Sequence, residues 1–209
     1  MKSSVSPRRS RVPHSPRPEV RGVCHVVFRI RRGLPWLRTP RTWRVLERAF
    51  RMGKVKPGFR LVQFSVQGDH LHLLVEAESK RELACGLQGL AIRIGKNLNR
   101  FWRRTAGSVF AERYFARAVR TAKEIRRALA YVLNNARKHR VWSSPTQPDP
   151  YSSGRWYSGW LGGPDICRPL RAPPVANARD LYLSMPSFRN LSVSFTPGQG
   201  ASGSELLEV

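Results

Sequence analysis

The sequence predicts an α+β fold, with helices packed on a largely antiparallel sheet. Three observations carry that expectation. Residues 59–67 and 70–76 alternate apolar and polar side chains on either side of Gly68-Asp69, the pattern of a hairpin. Two other stretches, 39–52 and the one from Ser79 to Phe101, repeat apolar residues at three- and four-residue steps, the period of an amphipathic helix. The stretches follow one another as β, α, β, β, α, β, α, with two strands adjacent rather than in strict β–α alternation.

Each element has a local cause. Residues 1–22 are rich in Arg, Pro and Ser and read as a disordered basic arm. Val23 to Arg31 is β-branched and aromatic, hence a strand; Gly33, Pro35 and Pro40 then interrupt the chain. Thr39 to Met52 reads as a helix with Trp43, Leu46 and Phe50 on one face and Arg44, Arg48 and Arg51 off it. After the Pro57-Gly58 turn, Val62, Phe64 and Val66 alternate with Gln63 and Ser65 in a strand from Phe59 to Gln67. His70 to Glu76 is its hairpin partner. Ser79 is placed to cap a long helix, with Glu82 at the capping-box position. Leu83, Leu87, Leu90, Ile94, Leu98 and Phe101 form its apolar stripe; Arg93, Lys96, Asn97, Arg100, Arg103 and Arg104 form the other face. Gly107 opens an extended segment through Arg120. Thr121 and Glu124 cap a last helix running to about His139. This order is ferredoxin-like with an extra C-terminal helix. Residues 23–140 therefore form the domain. Residues 141–209 form a Pro/Gly/Trp-containing, largely irregular extension, with 143–175 a lid or strap and 176–209 weakly ordered.

The chain carries 38 Lys+Arg against 13 Asp+Glu, a net charge of +25. The arm holds +5, residues 23–140 hold +20 and residues 141–209 hold none, so the excess sits on the folded part. A surface this basic repels itself, and nucleic acid is the usual polyanion that relieves it. A ribosome-like structural role and a membrane-surface role are the blander readings. Arginine far outnumbers lysine, which suits forked phosphate contacts and base stacking. Cys24, Cys85 and Cys167 lie too far apart for a disulfide framework or a zinc knuckle. No apolar run reaches the roughly 20 residues of a membrane span. The N-terminus lacks the apolar core of a signal peptide. A cytoplasmic, nucleoid-associated protein is expected.

Two places carry residues suited to chemistry. In Asp69-His70-Leu71-His72-Leu73-Leu74-Val75, the two histidines are two apart in a strand and project to one face, while the leucines point into the core. Side-by-side imidazoles can share one metal ion, although they are half a site and require a third ligand. Paired surface histidines without a ligand are the alternative. In the last helix, Ile125, Leu129, Val132, Leu133 and Ala136 cluster on one side, and Tyr131 falls opposite, with Glu124, Arg127, Asn134, Asn135 and Lys138. Tyr131 and Asn135, four apart, share a face. They are either a phenolic nucleophile and an amide ligand or an ordinary surface pair.

Taken together, residues 22–140 resemble the HUH endonucleases, and among them the single-tyrosine transposases of small bacterial insertion sequences, especially the REP-associated tyrosine transposases. The resemblance rests on His70-Leu71-His72, on the order of elements, on Glu112-Arg113-Tyr114 through Arg120, and on Ala130-Tyr131-Val132-Leu133-Asn134-Asn135-Ala136-Arg137-Lys138-His139. Two positions depart from the family pattern: Gly68-Asp69 replaces its usual Pro-x before the histidine pair, and Ala136 replaces the proline after its asparagine. The resemblance implies that His70, His72 and Asn135 hold a divalent ion, Mg2+ or Mn2+. It also implies that Tyr131 attacks a DNA phosphodiester to give a 5′-phosphotyrosine and a free 3′-hydroxyl, with Tyr114 the rival nucleophile. The substrate implied is single-stranded DNA folded as a hairpin. It would be held by Arg93, Lys96, Arg100, Arg103, Arg104 and the arm, with Arg127 or Lys138 beside the phenolate and Trp102 or Trp156 stacking on unpaired bases. No nucleotide cofactor is expected, since no GxxxxGK[ST] loop occurs. The oligomer implied is a monomer or homodimer. The competing readings are a non-catalytic nucleic-acid binder on the same fold, and another HUH nuclease such as a replication initiator or relaxase.

Overall fold

The alternating segments form strands and the three-and-four-spaced segments form helices. The computed structural model describes residues 21–144, 146–161, 171–177 and 193–194. In chain order the elements are β1 (Gly22–Arg29), α1 (Pro40–Gly53), β2 (Val55–Lys56), β3 (Phe59–Val66), β4 (His70–Ala77), α2 (Lys80–Phe101), β5 (Phe115–Val119), α3 (Ala122–Leu133) and α4 (Asn135–Lys138). A 3-10 turn at Ser153–Trp156 and the short parallel pair β6 (Trp160–Leu161) and β7 (Val193–Ser194) follow. The main sheet has the order β2-β3-β4-β1-β5, and all its pairings are antiparallel. Apart from the two-residue β2, its strand order and first two helices are ferredoxin-like, and α3 is the extra helix. The basic arm lies outside the described residues, save for Arg21 and Gly22, which opens β1.

The helices begin where cap chemistry places them. Thr39 accepts from the backbone N–H of Thr42, with Pro40 in the first turn. Ser79 accepts from Arg81 and Glu82, and its hydroxyl donates to the Glu82 carboxylate. Thr121 and Glu124 form a complete reciprocal capping box. Leu71, Leu73 and Val75 of β4 and Cys24, Val26 and Phe28 of β1 point to one face of the sheet. There they meet Leu46 and Phe50 of α1 and Leu83, Leu87, Leu90, Ile94 and Leu98 of α2. The other face is covered by α3, through Ile125, Ala128 and Leu129 against Val23, Val62, Leu74 and Val119.

Four expectations are corrected. The apolar stripe of α2 ends at Leu98; Phe101, the last helical residue, is exposed. The segment from Gly107 to Arg120 pairs continuously only over Phe115–Val119, with one isolated bridge from Phe110 to Ile30; Gly107 takes a left-handed conformation that suits a loop. The last helix is broken: α3 stops at Leu133, Asn134 forms a turn, and α4 starts at Asn135. Trp102 and Trp156 are half-buried against the core rather than free, and the Trp156 indole N–H donates to Arg171 O. A tryptophan body gains more from packing than from water when its N–H finds a partner.

The described parts of the C-terminal extension close the open edge of β3. Tyr151 O accepts from Val66 N, Ser153 Oγ accepts from Phe64 N and donates to Gln63, and Ala176 N donates to Leu61 O. An unpaired strand edge is a template for aggregation, and this strap covers it. Tyr157 and Trp160 continue onto the α3 face. The strap is pinned by a two-pronged ion pair, Arg38 Nη1 and Nη2 to Asp149 at 2.8 and 3.0 Å, with side chains only 9% and 2% exposed. Cys24 and Cys85 are free, and burial pushes the Cys24 thiol up to about 12. Among the described residues no helix is long and apolar enough to cross a membrane.

Removing one partner of a buried pair leaves the other charge uncompensated. Asp149→Ala is therefore expected to cost about 3–5 kcal/mol in a urea unfolding titration. A loss below about 0.5 kcal/mol, the size of an ordinary surface change, would mean the strap is not docked in solution.

Candidate active site

Antiparallel pairing of β1 with β4 builds the site. The register sets Arg29 opposite His70, Val27 opposite His72 and His25 opposite Leu74, so His25, His70 and His72 all point to the α3 face. The two histidines of the motif meet, as their spacing requires: His70 Nε2 and His72 Nε2 are 3.0 Å apart. A third histidine, which sequence reasoning missed, joins them: His25 Nε2 lies 3.1 Å from His72 Nδ1, with the rings stacked at 5.3 Å. The chain of contacts ends at Asp69, whose Oδ1 is 2.7 Å from His70 Nδ1. His139, just past α4, closes the group with its ring 5.9 Å from that of His70. Four of the five histidines in the chain thus converge.

Tyr131 does not face away from the core side of its helix, as a straight-helix projection suggests. Its ring stands edge-on to His72 at 5.2 Å and to His25 at 5.6 Å. Lys138 Nζ lies 5.1 Å from the Tyr131 ring centroid. Burial raises the Tyr131 pKa, and the Asn135 side chain partly opposes that shift. Asn135, projected onto the polar face, is 0% exposed, and neither amide atom makes a hydrogen bond of normal geometry. The break at Asn134 turns the next residue inward. The rival Tyr114 packs against Phe28, within the core on the α1/α2 face.

The structure thus brings together His70, His72, Tyr131, Asn135 and Lys138. It separates them from Arg93, Lys96, Arg100, Arg103 and Arg104, which belong to α2 and the turn after it, on the other side of the sheet. The loop that follows α2 nevertheless pairs with the end of β1 beside His70. Val109 O accepts from Arg31 N, Ala111 N donates to Arg29 O, and Ile30 N donates to Asp69 O. Arg127 is half-buried and lies one turn before Tyr131. Arg117, also missed, is the register partner of His25 on β5 and lines a small depression with His25, Glu124 and Tyr131. A wider cleft, lined by Arg21, Lys56, Arg60 and Glu78, lies by the β2–β3 turn and holds none of these groups.

Burial sets the electrostatics. Desolvation, aided by Arg117, lowers the His25 pKa to about 4. Desolvation, aided by the neighbouring histidines and Lys138, lowers that of His72 to about 2. Both rings are therefore neutral at neutral pH, as metal ligands must be. The Asp69 carboxylate selects the Nδ1–H form of His70 and leaves its Nε2 bare, the arrangement found behind metal-bound histidines. Among the described residues no three His, Cys, Asp or Glu side chains form a ligand set. Two imidazole nitrogens and the buried amide oxygen of Asn135, beside Tyr131, are donors of the N,N,O kind that a divalent cation takes.

The shifted histidines make stability depend on pH. Above about 6.5 they are neutral in both folded and unfolded chains. Below it the unfolded chain takes up protons that the folded one refuses, so stability falls with pH, for His25 until about 4. Each contributes up to about 1.4 kcal/mol per pH unit. Urea titrations in chelator at pH 7, 6 and 5 should show this loss, and His25→Gln should reduce its slope. A pH-independent stability over that range would contradict the buried neutral pair.

Comparison with known proteins gives the family and the fold. The family model described as "Transposase IS200 like" matches residues 21–135. A REP-associated tyrosine transposase, solved bound to a REP hairpin, is similar in fold: its TM-score is 0.55 at 17% identity, covering 68% of this chain and 82% of that one. A putative transposase from Deinococcus radiodurans matches at TM-score 0.40 and 14% identity, over 55% of this chain and 90% of its own. No curated protein matches the chain. Matched over more than half of its length, the chain belongs to the IS200-like transposases, enzymes that act on DNA.

Proposed function

We propose that this transposase cleaves and rejoins single-stranded DNA, folded as a hairpin, through a covalent bond to Tyr131. The observation that carries this reading is the seating of the Tyr131 ring against His72 and His25, beside the His70–His72 nitrogen pair. A tyrosine serving only to pack has no need of neutral imidazoles and an orphaned amide around it. The solved relative bound to a REP hairpin supports the choice of a hairpin substrate.

His70 Nε2, His72 Nε2 and Asn135 Oδ1 would hold Mg2+ or Mn2+, and the nitrogen donors favour Mn2+. When bound, the cation supplies charge neutralisation and orientation at the scissile phosphate. His25 is a positioning residue. With a cation bound, accepting from His72 Nδ1–H would leave His72 Nε2 bare, which is the tautomer a ligand requires. Tyr131 Oη forms a bond to phosphorus and loses its proton to solvent, the bond from phosphorus to the 3′ oxygen breaks, and that oxygen takes up a proton from solvent. The products are a 5′-phosphotyrosine and a free 3′-hydroxyl, which can reverse the step on a new end. Because burial raises the phenol pKa, a cation would be needed to favour the phenolate, and Lys138 Nζ, 5.1 Å from the ring centroid, is a candidate. No phosphoanhydride is consumed, since the phosphotyrosine conserves the ester bond.

DNA contacts divide by position. Lys138 and Arg117 lie at the reacting end. Arg100, Arg103 and Arg104, at and just after the C-terminal end of α2, would hold flanking phosphates. Arg93 and Lys96, farther back along α2, and Arg127 on α3 would steer the strand through long-range attraction.

Labelled hairpin DNA with Mn2+ on a denaturing gel tests the chemistry. Wild type and Tyr114→Phe should form a protein–DNA adduct, whereas Tyr131→Phe should form none and bind the hairpin within about twofold of wild type, since Phe removes only the attacking oxygen. An adduct with Tyr131→Phe, or none with wild type on any single-stranded substrate and divalent ion, would overturn the proposal.

A further inference from the structure

Beside the turn that leads to His70 stands an aromatic side chain that the core does not bury and the proposed chemistry does not use. Trp36 is 70% exposed, the most exposed of the large hydrophobic residues described. It lies in the loop from β1 to α1, yet that loop is firmly held. Gly33 turns it through a left-handed conformation. Leu37, next to Trp36, is fully buried and its N–H donates to Gly68 O at 2.8 Å. Arg38 is tied to Asp149 and to Val66 O. The indole is thus displayed between anchored neighbours.

Its place is set by Gly68. A Cβ built on Gly68 would fall 2.5 and 2.6 Å from Cε3 and Cζ3 of the Trp36 indole, so the ring is seated on glycine backbone where no side chain fits. Gly68 opens the two-residue turn that leads through Asp69 to His70, and Gln67 N donates to His70 O across it. Two residues of chain span about 7 Å at most, so the backbone under the indole lies within that reach of the His70 backbone. The approach is basic. Arg29 is exposed, faces the same side as His70, and its charge helps to hold the Asp69 carboxyl below the usual range. Arg31 and Arg32 are exposed two and three residues on.

We propose that Trp36 is a stacking platform for an unpaired nucleobase flanking the hairpin, with Arg29, Arg31 and Arg32 holding the phosphates on either side. This rests on the DNA-cleaving reading above and adds to it a site for the single-stranded flank. An exposed aromatic among arginines is the arrangement that binds single strands, because every base has a face to stack and phosphates recur along the chain. Holding an indole in water is unfavourable by itself; here its backbone is held between anchored neighbours and its ring lies over Gly68. Stacking on one unpaired base also fixes the strand's register against Tyr131, which phosphate contacts alone do not do.

Fluorescence anisotropy in chelator, which prevents cleavage, separates this site from the chemistry. Three probes are used: a blunt hairpin, the same hairpin with a four-nucleotide 5′ or 3′ unpaired tail, and the tailed hairpin with abasic sites in the tail. Wild type should bind the tailed hairpin best. Trp36→Ala should weaken binding to the tailed hairpin roughly 5- to 100-fold, the range for losing one base–aromatic stack. It should leave the blunt hairpin within twofold and be indifferent to abasic substitution, while Trp36→Phe should retain most of the affinity. The blunt hairpin also reports that each variant is folded. The platform is overturned if wild type binds tailed and blunt hairpins equally, if Trp36→Ala matches wild type on the tailed probe, or if it weakens both probes alike. Wild type binding none of the three would instead overturn the parent reading, and the platform with it.

Discussion

The pairing of β1 with β4 is the constraint on which the rest of the molecule depends. Both strands alternate with a period of two, and the sheet holds them in a register that turns Leu71, Leu73, Val26 and Phe28 to one face and His70, His72 and His25 to the other. A slip of one residue would reverse both sets, burying imidazoles among leucines and exposing the leucines to α3. The apolar core behind the sheet therefore fixes where the histidines point. The cost falls on the histidines themselves, which are largely cut off from water and held neutral. A metal-ligand pair gains from that neutrality, so core packing and site chemistry draw on the same alternation.

The second constraint is local, at the end of α3. An uninterrupted helix would carry Asn135 on the polar face. The turn at Asn134 buries it, leaving an amide with no conventional partner beside a tyrosine in contact with two histidines. An unsatisfied buried amide is costly in a structural protein; at a site that takes a cation, its oxygen is a waiting ligand. Ala136 follows directly, and it too is fully buried. Here the break in the helix is made without proline's missing N–H.

Much of this was legible in the sequence, because the signals were local. Caps at Thr39, Ser79 and Thr121, the Gly68-Asp69 turn and the His-x-His alternation are each decided within a few residues, and the fold order follows from them. What could not be read depends on distant pairing. His25 is a lone polar residue in an apolar strand until β4, 47 residues away, brings His72 against it. Arg117 becomes part of the site only because β5 pairs with β1. The tryptophans show the same limit: Trp102 and Trp156 pack on surfaces made by remote segments, whereas Trp36 stays exposed because its neighbours, not the indole, are anchored. The helix break was missed because propensity favours continuing through Ala136; turning Asn135 inward is a tertiary effect.

The central claim is that two imidazoles and one buried amide form a single cation site beside Tyr131. Anomalous diffraction from crystals soaked in Mn2+ tests it most directly. The account predicts one strong manganese peak, bonded to His70 Nε2, His72 Nε2 and Asn135 Oδ1 and adjacent to Tyr131 Oη, with the two histidine nitrogens moved apart from their 3.0 Å contact to admit the ion. A manganese peak elsewhere, or crystals with these imidazoles unchanged and no peak between them, would contradict it.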